Sequence, residues 1–266
     1  MKKNKMMRIA SGLLVLNLMS TCAISGTFAK YVTSADVQDS ARVAKWGVAV
    51  TASGHLFDSS YIDTPPTNYL GPDGSTVSPV GWSVVTTEAV VAPGTNNTEQ
   101  KTNDPKDMTI AVTGTPEVAV KVDIKVHGSA SESEAVKDVV LPSGTYLDYT
   151  TGNSDSDTFT MTSDYHPVKF TLTRNGSAVV TDGTLAAVET ALENLTGTYA
   201  ANTNLGNEIG TLVLTWKWDY EGSENYIDKA DTYLGNVAAE LATPDPAAGV
   251  NTTIDFAVDV AVTQVD

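Results

Sequence analysis

Residues 118–126 alternate strictly: Val118, Val120, Val122, Ile124 and Val126 fall on one side of an extended chain, and Lys121, Asp123 and Lys125 on the other. Successive side chains of a strand point to opposite faces, so this pattern predicts a strand with one buried and one wet face. The same reading applies to Leu212, Leu214, Trp216 and Trp218 against Lys217 and Asp219, and to Val168, Phe170 and Leu172 against Lys169 and Thr171. It also fits Ile254, Phe256, Val258, Val260 and Val262 against Asp255 and Asp259. Shorter candidates cover 44–52, 82–91, 108–113 and 136–141. Turn chemistry separates them at Gly71-Pro72-Asp73-Gly74, Ala92-Pro93-Gly94, Pro142-Ser143-Gly144, Arg174-Asn175-Gly176 and Asp182-Gly183. Strands with one wet face and Gly/Pro punctuation predict an all-β chain folded as an antiparallel β-sandwich.

Helical spacing is rarer. Leu185, Val188, Leu192 and Leu195 follow Thr181, Asp182 and Thr184 as candidate caps and precede Gly197, which predicts one short helix. A second helical turn is expected around 231–234. The polar stretches 95–106 and 150–164 read as long solvated loops. With no internal repeat and no linker, 43–266 reads as one β-sandwich domain.

The first residues change the picture from fold to compartment. Lys2, Lys3, Lys5 and Arg8 precede a mostly apolar stretch from Ile9 to Ile24, and Ser25, Gly26, Thr27, Phe28 and Ala29 follow. That is the layout of a signal peptide over 1–29, with Thr27 and Ala29 at the −3 and −1 positions of the cut. Ser11, Asn17, Ser20 and Thr21 interrupt the apolar run, which suits cleavage better than a spanning helix of about 20 apolar residues. The reading is therefore a secreted protein of the extracellular matrix or cell surface, with no membrane insertion after cleavage.

Charge follows from the cut. The whole chain carries 16 basic and 32 acidic residues, and losing the four basic residues of 1–29 leaves 12 against 32, a net charge of −20. Such a surface repels nucleic acid and anionic lipid, both of which need cationic partners. It also makes calcium a plausible counter-ion. Cys22 is the single cysteine and lies in the apolar run, so the cleaved chain has no disulfide and no thiolate. Met19-Ser20-Thr21 before it is a poor lipid-attachment sequence.

Candidate chemistry is sparse. His55, His127 and His166 are isolated in sequence and read as ordinary surface or loop histidines; no zinc-ligand spacing or nucleophile motif is present. The best metal candidate is a calcium loop with Asn153, Asp155, Asp157 and Asp164, where oxygen ligands fall at alternate positions and at the twelfth. Thr158 stands where such a loop needs glycine, so a solvated polar loop is the plainer reading. Glu221, Glu224, Asp228 and Asp231 read as a solvated acidic loop. Trp46, Trp82, Trp216 and Trp218 could stack on sugars, although Trp216 and Trp218 occupy the apolar side of a strand and suit a core. The inventory points away from an enzyme.

Several short motifs, taken in order, resemble the TasA/camelysin family of exported proteins of Gram-positive bacteria. They are Gly26-Thr27-Phe28-Ala29, Ala92-Pro93-Gly94-Thr95, the run from Val112 to Val120 through Gly114-Thr115-Pro116, Leu214-Thr215-Trp216-Lys217-Trp218-Asp219-Tyr220-Glu221, and Asp231-Thr232-Tyr233-Leu234-Gly235-Asn236. The resemblance implies a jelly-roll sandwich, processing by an ER-type signal peptidase, and head-to-tail self-assembly into biofilm-matrix fibres, with possible accessory matrix proteins. It also implies that the N-terminal segment 30–42 is a donor strand added to the next subunit, with Tyr31, Val32, Ala35 and Val37 as its apolar positions. Two features depart from the family pattern: Lys30 directly follows the cut, and the polar insert 96–106 interrupts the Ala-Pro-Gly-Thr turn and its strand. The alternatives are a monomeric adhesin or carbohydrate-binding sandwich, and a camelysin-like extracellular metalloprotease, for which no zinc ligands can be named.

Overall fold

The alternation of Leu212, Leu214, Trp216 and Trp218 becomes the middle strand of a five-stranded antiparallel sheet. The computed structural model describes residues 43–60, 69–70, 76–77, 85–100, 105–150, 157–219, 225–239 and 248–265. The chain divides into two units, 1–46 and 47–266, and of the first only 43–46 are described. The signal-peptide positions Thr27 and Ala29 and the donor positions Tyr31, Val32, Ala35 and Val37 lie outside the described residues.

The strands of the second unit are β1 (Val48–Ser53), β2 (Asp58–Ser60), β3 (Tyr69–Leu70), β4 (Thr76–Val77), β5 (Val85–Val90), β6 (Met108–Gly114) and β7 (Val120–His127). They continue as β8 (Gly144–Leu147), β9 (Thr158–Met161), β10 (Val168–Arg174), β11 (Ser177–Gly183), β12 (Gly197–Tyr199), β13 (Gly210–Trp218) and β14 (Ala257–Gln264). The helices are α1 (Leu185–Glu193), α2 (Leu205–Glu208) and α3 (Asn225–Ala238). One sheet runs β1-β6-β13-β10-β11 and another β12-β7-β14, with all pairings antiparallel; β2-β5, β3-β4 and β8-β9 form two-stranded pairs. The inner faces of both larger sheets contribute to one hydrophobic core, so the chain is all-β and sandwich-like.

The cause is the residue pattern. Leu212, Leu214, Trp216 and Trp218 of β13, Phe170 and Leu172 of β10, Ile110 and Val112 of β6, and Val120, Val122 and Ile124 of β7 are all buried. Asn175 and Gly176, both at positive φ, make the two-residue turn between β10 and β11, the conformation a tight hairpin requires. Thr184 caps α1 by accepting from the Ala187 N–H, and Leu185, Val188 and Leu192 are its buried stripe, as the sequence spacing predicts.

Three local expectations change. Residues 136–141 form no full strand; isolated bridges join Lys137 to Asp255, Val140 to Asn251 and Leu141 to Tyr165. The helical turn expected at 231–234 is part of the 14-residue α3, because Ala230, Tyr233 and Leu234 recur at helical spacing on its buried side. Within the polar stretch 95–106, Thr95, Asn97 and Gln100 are buried.

Candidate functional site

The polar segment is buried because it finishes a strand. β6 pairs with β13 only from Gly210 to Leu214. Beyond that point the Gly94 N–H donates to the Trp218 carbonyl (2.8 Å) and the Trp218 N–H to the Thr95 carbonyl (2.8 Å). The Asn97 side chain then stands in for backbone: its Oδ1 accepts from the Trp216 N–H (3.1 Å) and its Nδ2 donates to Asp107 Oδ1 (2.6 Å). A turn at Pro93-Gly94, with Gly94 at φ +83°, supplies the direction, and Thr95 Oγ1 donates to the Ala92 carbonyl (2.7 Å) to close it. The Leu56 carbonyl receives both the Gln100 amide and the Trp216 indole N–H, while Phe57 lies against the Trp216 ring. Buried polar groups survive because nearly all are paired. Motifs far apart in sequence, Ala92–Thr95 and Leu214–Trp218, thus meet at one place.

This use of Trp216 and Trp218 weakens the sugar-stacking alternative, since both rings lie in the core. Trp46 is exposed, and Trp82 lies outside the described residues.

The histidines separate. His55 is exposed. His127, expected at the surface, is instead buried: its Nδ1 lies 2.7 Å from the Gly128 carbonyl oxygen and its Nε2 3.1 Å from Asp259 Oδ2. Both partners are acceptors, so the arrangement favours the doubly protonated ring. The Gly128 carbonyl first, and then Asp259, raise its pKa above the ordinary value. His166 Nδ1 sits 3.3 Å from Asp138 Oδ2, which also receives the Leu185 N–H at the start of α1. Among the described residues no three His, Cys, Asp or Glu side chains are grouped to hold a metal ion.

Of the calcium candidates, Asn153 and Asp155 lie outside the described residues. The Asp157 carbonyl accepts from the Asp148 N–H, and Asp164 Oδ1 accepts from the Ser143 N–H (2.9 Å), which closes the turn before β8. Asp228 and Asp231 belong to α3 rather than to a solvated loop, and Asp231 is largely buried against Tyr165 and Trp218.

The sheet edges differ more than the sequence suggests. β11 is bulged against β10, with register shifts between Phe170 and Leu172 and between Leu172 and Thr173. β12 is three residues long, and Thr196 Oγ1 closes the edge beyond it by bonding both the N–H and the carbonyl of Ile124. Bulges and shortness are the means by which edges resist pairing. β14 has neither. It is eight residues long, holds regular register from Ala257 opposite His127 to Gln264 opposite Val120, and has no proline or bulge. Among the described residues no strand pairs with its outer edge. Val258, Val260 and Val262 face inward opposite Val126, Ile124 and Val122, yet they are only half-buried while those partners are buried. β1 is the other regular edge, six residues long, with Val50 exposed opposite the fully buried Val112.

No helix among the described residues is long and apolar enough to cross a membrane. Compared with protein-family models, curated proteins and solved structures, the chain gives no significant match.

Proposed function

We propose that the chain is a secreted, non-enzymatic structural subunit of extracellular matrix fibres, built as a jelly-roll-like sandwich and assembled head to tail by donation of the segment 30–42. The observation that carries this reading is β14: a long regular edge whose inward valines are half-covered, beside two edges that are blunted. A strand added there from another subunit would pair the edge and cover the valine row together, which is the chemistry of β-augmentation. Because the donor segment precedes β1 and the acceptor edge is β14, the contact joins different surfaces of the two subunits. Such a heterologous contact propagates into a filament when its rotation does not close. In this reading signal-peptide removal frees the donor strand, and calcium screens the acidic subunits from one another.

The test is negative-stain electron microscopy of residues 30–266, with and without calcium. Uniform filaments are expected, and removal of residues 31–42 should leave a folded monomer that forms none. Filaments from the shortened chain would overturn strand donation. Monomers from the long chain under every condition would overturn self-assembly and favour an adhesin.

A further inference from the structure

The two larger sheets differ most on their outer faces. On β7 the residues turned away from the core include Lys121, Asp123 and Lys125, and Asp259 of β14 stands opposite Lys125. β1, β6, β10 and β13 contain no aspartate or glutamate at all, in a chain that has 32 of them. Their outward positions alternate with the buried Ile110, Val112, Leu172, Leu212 and Leu214. Apart from Lys169 and Lys217, those positions hold only threonine, serine, alanine and valine. Register sets them in rows: Thr51, Ala111 and Thr211 lie side by side across β1, β6 and β13, and Ser53, Thr109, Val213 and Thr173 form the next row. Lys169 and Lys217 are cross-strand neighbours at one end, where Lys217 reaches Asp182 (3.3 Å) and Asp219 (3.5 Å). The helices that touch this sheet, α1 and α2, send Leu185, Val188, Leu192 and Leu205 into the core with its inward residues. Among the described residues they leave the outer face half-buried or exposed.

We propose that this face pairs with the same face of a second copy, sheet on sheet, with no carboxylate between them.

Charge selects the occupant. From residue 30 onward the chain carries a net −20, so two copies repel wherever acids oppose acids. An acid-free face is where two such sheets can close to about 10 Å, the spacing of stacked sheets. A cationic partner would find its acids elsewhere on the chain. A glycan would find no aromatic ring on this face to stack against. A two-fold axis brings a patch against itself, and small side chains of like size make this patch its own complement.

Area sets the strength. Four strands about 4.8 Å apart and about six residues long give roughly 400 Å² on each copy. That is half of the ~800 Å² per partner of a standard stable interface, so a single pair is weak. Copies already held in a row would engage several faces at once, and weak pairs then add. The pairing goes beyond the fibre reading and does not rest on it, because strand donation joins unlike surfaces and this contact joins like ones.

Cross-linking of residues 30–266, which contain no cysteine, tests it. Thr211→Cys places a single thiol in the middle of the face, and Thr198→Cys places one on β12 of the other sheet. Thr198 is the more exposed of the two, so chance collisions would favour it. With a short bismaleimide at high chain concentration, the covalent dimer of Thr211→Cys should exceed that of Thr198→Cys several-fold. Adding Thr109→Glu, an acid in the neighbouring row, should bring the yield down to the Thr198→Cys level while the circular dichroism stays unchanged. Salt should raise the Thr211→Cys yield, because screening weakens the repulsion between copies and leaves an uncharged contact alone. Equal dimer from both thiols, or a yield that falls with salt, would overturn the pairing. So would a yield that Thr109→Glu leaves untouched. A head-to-tail contact sets residue 211 of one copy against a different surface of the next, so strand donation alone yields no excess of this dimer. Loss of filaments in the microscope with the dimer retained would sink strand donation and leave the pairing standing.

Discussion

β13 and β14 carry the same alternation of apolar and polar residues and end in opposite circumstances. Leu212, Leu214, Trp216 and Trp218 are buried, with neighbours on both edges of the strand; Val258, Val260 and Val262 are half-buried on a strand that has one neighbour among the described residues. Alternation dictates which face turns inward. It says nothing of whether anything covers that face, because coverage depends on sheet order and on what packs from the other layer. The difference separates a residue's contribution to stability from its availability for association.

Truncation should expose this contrast most strongly. Trp216→Ala removes a buried ring, its contact with Phe57 and its bond to the Leu56 carbonyl, and should cost about 3–5 kcal/mol in urea unfolding. Val260→Ala, losing two methyl groups already half in water, should cost about 0.8 kcal/mol. Equal costs would mean that β14 is as enclosed as β13.

A backbone test comes next. Gly114 has φ +119°, and a Cβ placed there would lie 1.8 Å from the Gly47 carbonyl oxygen, where β1 enters its pairing with β6. Backbone strain of this kind costs about 1–3 kcal/mol. Gly114→Ala is expected to detach β1 first, read as lost exchange protection over 48–53 while β13 remains protected. Loss at both strands together would make β1 part of the central cooperative unit, not a separable edge.

Much of this architecture is legible in the residues themselves: the strands β7, β10 and β13, the α1 stripe and the Asn175-Gly176 turn all follow from spacing. The polar run after Gly94 is not legible, because composition marks it as solvated. Asn97 and Gln100 are buried since their side-chain amides take over bonds that a strand backbone would make, and only three-dimensional register reveals that. Asp231 is hidden similarly, an acid on the buried side of a helix whose partners, Tyr165 and Trp218, are remote in sequence. His127 reads as wet because it follows Lys121 and Lys125 on the outer face, but the Gly128 carbonyl and Asp259 enclose it. For Asn97 the consequence is measurable: Asn97→Ala leaves the Trp216 N–H and Asp107 without that partner and should cost about 1–3 kcal/mol, the range for stranding a buried polar group. A neutral result would show that β13 holds its end without the polar segment.

The smallest effect concerns the side-chain bond between His127 and Asp259, which ties the outer face of β14 to β7. With Nδ1 facing the Gly128 carbonyl and Nε2 facing the Asp259 carboxylate, both ring nitrogens of His127 must donate, so the contact favours imidazolium. Its pKa is raised from the ordinary 6.5. A histidine raised by folding stabilises the protein fully below its ordinary range and ceases to do so as pH rises through the folded value. Asp259→Asn keeps the shape but removes the charge that supports the imidazolium. The unfolding midpoint of wild type should therefore exceed that of Asp259→Asn at pH 6, and the two should converge at pH 9. A gap that persists unchanged at pH 9 would assign the contact to shape and not to protonation.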